Sequence, residues 1–204
     1  KKLRPFWMKH IDYSQTSDSG RAINRRFRKK KAVQMALLKV LTWPDEMLRT
    51  VAKPVDQFGS ELGKLIDDMF ETMYAEKGVG LAATQVGIDR RLLVVDCGHE
   101  EREPYALVNP ELESYDGELV WPEGCLSIPG VRADVTRHAQ VVVRYQDGSG
   151  CDKKLSAQGL LAVCLQHEID HLDGKMYFDR LGLLERRSVL NAYRDYLENK
   201  DDQV

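Results

Sequence analysis

Three observations predict an α+β fold. Short β-rich runs are joined by hairpin turns, the helical stretches are not regularly interleaved with them, and one helix near the C-terminal third is apolar almost all round and needs other elements to bury it. The 204 residues suffice for one domain with a full hydrophobic core. With 43% hydrophobic and 30% charged residues, 15 Gly and 7 Pro, the composition excludes a collagen, an acidic disordered tail and a disulfide-built miniprotein. The four cysteines contain no C-x-x-C pair, which removes zinc ribbons and thioredoxin motifs. No apolar run approaches the ~20 residues of a membrane span. A cytoplasmic chain with reduced thiols, not associated with membranes, is expected.

The elements follow in order. Residues 1–34 carry eleven Lys/Arg against Asp12 and Asp18, net +9, while the remainder is net −11. This leader shows neither helical nor strand periodicity, and Ser14 to Gly20 has linker composition. It reads as an expression remnant or extension, as a basic arm for nucleic acid, or as the end of a transit peptide. Residues 35–204 then form the predicted globular domain. Trp43-Pro44-Asp45 is a turn, because proline drives its predecessor out of the helical region. Ser60 caps a predicted helix to about Lys77, with Leu62, Leu65, Ile66, Met69, Phe70, Met73 and Tyr74 on one face and Gly78 as the C-cap. Strands are expected at 91–96, 105–108 and 140–145, with Asp147 to Gly150 turning into 153–156. Gly159 to Leu172 is the buried helix, and about Leu184 to Lys200 is a C-terminal amphipathic helix.

The chemistry lies in His167-Glu168-Ile169-Asp170-His171. Residues four apart stack on one helical face, so both imidazoles can reach one metal ion, while Glu168 points about 100° away and can reach a water at that ion. Two His and a Glu on a buried apolar helix cost several kcal/mol unless partnered. A third ligand is needed. Downstream, the candidates are Glu185 and Glu198, as in a zinc endopeptidase. Upstream, Cys125 lies in the loop-like Glu123-Gly124-Cys125-Leu126-Ser127, where a single cysteine taken alone reads as a small buried apolar residue. Cys97, Cys151 and Cys164 read the same way, and His10, His99 and His138 as surface histidines. Gly78 to Gln85 is rich in small residues that permit close backbone approach. Gln85 by itself is an ordinary exposed amide.

Taken together, Gly-Val-Gly-Leu-Ala-Ala-Thr-Gln (78–85), Glu-Gly-Cys-Leu-Ser (123–127) and Gln-His-Glu-Ile-Asp-His (166–171) resemble the three signature motifs of peptide deformylases of the bacterial type. The resemblance runs from about Ala36 to Asp201 and leaves the leader outside. It implies antiparallel β-sheets packed around the central H-E-x-x-H helix. It also implies a hydrolase that removes the formyl group from the N-terminal formylmethionine of newly made proteins, releasing formate. It makes Cys125, His167 and His171 the ligands of one divalent ion, Fe²⁺ in the cell with Zn²⁺, Ni²⁺ or Co²⁺ able to substitute. Ligand softness alone does not choose among these metals. By the same resemblance Glu168 is the general base and acid, and Gln85 with the Leu126 backbone N–H stabilises the oxyanion. Val79, Gly80, Trp121, Gly124, Leu126, Val163 and Cys164 line the substrate pocket. The expected partners are formyl-Met nascent peptides at the ribosome exit, the expected state is monomeric, and nucleic-acid contact is confined to the basic leader. Two other readings stand beside it: a zinc endopeptidase, and a ribosome- or RNA-binding protein acting through the leader.

Overall fold

The computed structural model describes residues 37–98 and 102–201. Residues 1–34, with every expectation for the leader, and His99 lie outside the described residues. The elements are α1 (Ser60–Ala75), β1 (Gly80–Ala82), β2 (Leu92–Asp96), β3 (Pro104–Asp116), β4 (Leu119–Cys125), β5 (Ile128–Arg137), β6 (Gln140–Gln146), β7 (Asp152–Gln158), α2 (Gly159–Leu172) and α3 (Leu183–Asp201). Five strands form one sheet in the order β1-β2-β3-β6-β7, and β4 and β5 form a separate hairpin. Every pairing is antiparallel. The α+β architecture with a central buried helix is as expected.

β2 explains the layering. Its five residues are all buried because both faces of the sheet are covered there. Leu93 and Val95 face α2, packing with Leu107, Val141 and Val143 against Leu165, Ile169 and Leu172. Leu92 and Val94 face α1, against Leu62, Met69 and Met73. A strand covered on both faces reads as a continuous apolar run rather than an alternation. At roughly 1.5–3 kcal/mol per fully buried aliphatic side chain, these two interfaces hold the ligand helix in place. The β4–β5 hairpin belongs to a third cluster, in which Ile128 and Val135 pack with Tyr177, Phe178, Val189 and Tyr193.

Three local expectations are corrected. The cap of α1 is Gly59, with no side-chain cap, so Ser60 is already helical. At its other end the left-handed residue is Lys77, with φ 58°, and not Gly78. The Gly78 N–H donates to the Met73 carbonyl at 2.8 Å, closing the last turn. Gly78 is small for another reason: a Cβ there would lie 2.8 Å from Leu126 Cδ1. Finally, Glu123 to Cys125 is the end of strand β4, not a loop. Among the described residues no helix is long and apolar enough to cross a membrane.

Candidate metal centre

α2 presents His167 and His171 one turn apart, and the tight β4–β5 turn brings Cys125 to them. Cys125 Sγ lies 3.2 Å from His171 Nε2, and His171 Nε2 lies 3.2 Å from His167 Nε2. All three donor atoms fall within 4.8 Å of one another. Such spacing suits donors sharing one tetrahedral ion at roughly 2.0–2.3 Å from each. His167 Nδ1–H donates to Glu123 Oε2 at 2.7 Å, which leaves its Nε2 lone pair directed at the cluster. The buried Glu168 Oε2 and His171 Nδ1 have no hydrogen-bond partner. One soft and two borderline donors converging in a buried site fit a divalent transition metal, whereas two imidazole nitrogens facing each other without one would share a single proton.

The charges around the cluster form a chain. Arg137 grips Glu123 through two bonds, Nε to Oε1 at 2.6 Å and Nη2 to Oε2 at 3.0 Å. Its Nη1 donates to Asp170 Oδ2 at 2.5 Å, and Arg180 caps the same carboxylate from the surface with bonds of 2.9 and 2.5 Å. Burial pushes Glu168 up to about 7, with the charge of His167 pulling the other way and that of Glu123 adding to the rise. Burial also favours the neutral form of His167, but hydrogen bonds to Cys125 and Glu123 outweigh it and raise its pKa. Burial and the neighbouring His167 push His171 down.

Gln85 is not the exposed amide its sequence context alone suggests; it is 1% exposed. Its Oε1 accepts from the Ala82 N–H at 2.8 Å, and its Nε2 donates to Ser127 Oγ at 3.2 Å and to Cys125 Sγ at 3.6 Å. A cavity of about 860 Å³ opens over Glu168, His167 and Cys125. Gly80, Leu126, Val163 and Cys164 line it, and Val79, Trp121 and Gly124 line it too, so all seven expected pocket residues face one space. Gly80 must be glycine: a Cβ there would stand 2.3 Å from Glu168 Oε1 and 2.7 Å from Cys164 Sγ.

Other candidates fall away from this place. Glu185 and Glu198 are exposed on α3, and Glu185 Oε2 accepts the Gly182 N–H at 3.2 Å. His138 stacks on Tyr115, with ring centroids 3.9 Å apart. Sequence reasoning assigned no role to Glu123, Arg137, Asp170 or Arg180. The available signal was that Glu123 and Asp170 sit inside two of the motifs as acids without an evident partner.

Residues 37–187 match the family described as polypeptide deformylase. The chain belongs to that family. A peptide deformylase of Chromobacterium violaceum is 52% identical over 155 residues, covering 76% of this chain and 93% of the relative. One from Xylella fastidiosa is 51% identical over 158 residues, with the same coverage. The crystal structure of a peptide deformylase from Legionella pneumophila superposes with a TM-score of 0.77 at 44% identity, covering 81% of this chain and 98% of that one. As a polypeptide deformylase the chain is a metal-dependent hydrolase that removes the N-formyl group from nascent peptides.

Proposed function

We propose that Cys125, His167 and His171 hold one divalent ion and that Glu168 moves the proton. The carrying observation is the convergence of those three donors beside a buried carboxylate with a free oxygen on the cavity wall. A bound dication supplies Lewis acidity, polarising the formyl carbonyl and easing the ionisation of water. Glu168 Oε2 takes the proton of the attacking water and returns it to the peptide nitrogen as the C–N bond breaks, giving formate and a free amine. A pKa pushed up to about 7 by burial suits both halves of that exchange. Gln85 Nε2 and the Leu126 N–H donate to the formyl oxygen as it gains charge, each worth roughly 2.7–4 kcal/mol. The Ser127 bond holds the Gln85 amide in place, and the longer contact to Cys125 Sγ is the one a formyl oxygen replaces. Val79, Gly80, Trp121, Gly124, Leu126, Val163 and Cys164 enclose the methionine side chain and the first peptide unit.

Fe²⁺ is the ion we assign in the cell, with Zn²⁺, Ni²⁺ or Co²⁺ able to take its place; the Cys/His₂ donor set accepts all four. The enzyme acts as a monomer in the cytoplasm, on chains leaving the ribosome, with residues 35–204 as the catalytic domain and 1–34 as an appendage. Formate release from a formyl-Met peptide, measured anaerobically together with metal content, tests the site. Cys125→Ser is expected to lose metal and turnover, while Glu185→Ala keeps both. The reverse pattern would move the third ligand to α3 and restore the endopeptidase reading.

A further inference from the structure

Two cysteines outside the ligand set meet behind the cavity wall. Cys97 follows the last residue of β2, and Cys164 lies on α2, one turn before His167. Because α2 packs across β2, the half-buried Cys97 packs against the apolar cluster that contains Cys164. The Asp96 N–H, one residue before Cys97, donates to the Val79 carbonyl at 2.9 Å, and each thiol shifts the other's ionisation. Cys164 Sγ also reaches the Val79 carbonyl at 3.5 Å and lines the large cavity beside Glu168. Cys97 instead lines a second cavity of about 200 Å³, and Leu160 is common to both. One thiol therefore faces the substrate side, and its partner has a separate opening.

We propose that Cys97 and Cys164 are a peroxide-sensitive modification site, in which Cys97 is oxidised first and Cys164 closes a disulfide that reshapes the wall of the substrate cavity. The Cys97 sulfur attacks one oxygen of hydrogen peroxide, the O–O bond breaks, and the released hydroxide takes up a proton. One water and the Cys97 sulfenic acid result. The Cys164 sulfur then attacks the sulfenic sulfur, the S–O bond breaks, and the hydroxyl leaves with the Cys164 proton as a second water. Two thiols and one peroxide become one disulfide and two waters. The neighbouring Cys164 thiol lowers the Cys97 pKa, against burial and the negative charges of Asp96 and Glu168, which favours the attacking thiolate.

Closing from non-bonded contact to an S–S bond of about 2.05 Å draws Cys164 towards Cys97. It also removes the hydrogen that Cys164 offers to the Val79 carbonyl, next to Gly80 and Glu168. The cross-link stands independently of the proposed catalytic roles. Its effect on turnover rests on them.

The full chain loaded with Zn²⁺, which has no redox chemistry of its own, is treated with a few equivalents of hydrogen peroxide and quenched with catalase. Formate release is measured on one portion. A second portion is denatured, alkylated, digested and weighed by mass spectrometry with and without reductant. Expected are a reductant-sensitive peptide pair joining Cys97 to Cys164 and a fivefold or greater fall in kcat/KM that reduction restores. Cys97→Ser, with kcat/KM before peroxide within twofold of the parent, should keep its activity through the treatment. Recovery of Cys97 and Cys164 as alkylated thiols after the exposed Cys151 is oxidised would overturn the site. Equal inactivation of Cys97→Ser, or a cross-link with no change in kcat/KM, would overturn its coupling to the cavity. Absence of formate release before peroxide counts against the catalytic assignments alone, since the cross-link is read by mass.

Discussion

Gly80→Ala tests the placement of Glu168 without replacing a ligand or the group that carries the proton. The added Cβ would stand 2.3 Å from Glu168 Oε1 and 2.9 Å from its carboxyl carbon, with Cys164 Sγ at 2.7 Å. Reaching ordinary contact at 3.4 Å requires a displacement of about 1.1 Å, the difference between 3.4 and 2.3 Å. Neither side yields freely, because β1 is laddered to β2 and Glu168 is fixed on a helix buried along most of its length. A misplacement near 1 Å in a positioned catalytic group costs on the order of 10²-fold, or about 2.7 kcal/mol of barrier. Overpacking adds about 1–3 kcal/mol of lost stability. Formate release should therefore show kcat/KM down about 100-fold, while metal content stays near one ion per chain because His167 and His171 are not contacted. Gly63→Ala is the matched control: it lies in α1, its new Cβ meets nothing within 4 Å, and it should leave kcat unchanged and raise Tm slightly. A folded, metal-loaded Gly80→Ala protein with kcat/KM within threefold of the parent would refute the placement of Glu168 at the reacting carbon.

Glu168→Gln should keep the metal and lose nearly all turnover; loss of metal in parallel, measured by elemental analysis, would make Glu168 a ligand or a structural group. Removing residues 1–34 should leave kcat/KM for a short formyl-Met peptide within twofold at low and physiological salt, since no proposed site residue lies there; a tenfold loss persisting at the higher salt would overturn this. Asp179 gives a pH signature. Burial raises its pKa, but hydrogen bonds from Arg49 and the Met176 N–H, with the charges of Arg49 and Arg186, bring it below the ordinary value. A depressed carboxylate contributes stability above its unfolded pKa, near 4, and loses it as pH falls through the folded pKa. Asp179→Asn should thus be less stable by about 1 kcal/mol at pH 7, a figure reduced for partial exposure, and should match the parent by about pH 2. An unchanged gap in Tm at pH 2 would assign the effect to packing.

α1 was legible because its apolar periodicity coincides with its burial, and α2, apolar almost all round and buried over 162–172, begins and ends at the residues expected. β2 was legible as a dense apolar run. The β4–β5 hairpin was not, since Pro122 and Gly124 interrupt one strand and Pro129 and Gly130 the other. Proline is excluded from central strands but tolerated at an edge, and a two-stranded sheet consists of edges. The expected strand 105–108 is only the first part of β3, which runs from Pro104 to Asp116 through Asn109 and Pro110. In the fold the ladder continues past them through a register shift, with Asn109 at φ 52° and its side chain bonded to the backbone of Val55. At the site, the helical spacing of His167 and His171 revealed their common face. Nothing in the spacing joined Cys125 to them, because a contact made by a strand end across the fold has no sequence period.

The chain of charges from His167 through Glu123, Arg137 and Asp170 to Arg180 shows why two of the three motifs, 123–127 and 166–171, must meet as they do. Its members come from β4, β5, α2 and the turn before α3, so it forms only when all four are in register. Such a chain is poor evidence for stability: desolvating several charges costs as much as their attraction returns, and an apolar cluster of the same volume could do as well. What an apolar cluster could not supply is direction. Glu123 fixes which nitrogen of His167 carries the proton, and Arg137 fixes Glu123 through two parallel bonds that admit one orientation of the carboxylate. Cys125 lies two residues beyond Glu123 on the same strand, so the contact that aims His167 also sets how far Cys125 reaches towards α2. Signs alternate along the chain, and it ends at the partly exposed Arg180, so no unpaired charge is left inside. The geometry of the donor cluster is thereby set from outside it, by groups that need no metal to hold their positions.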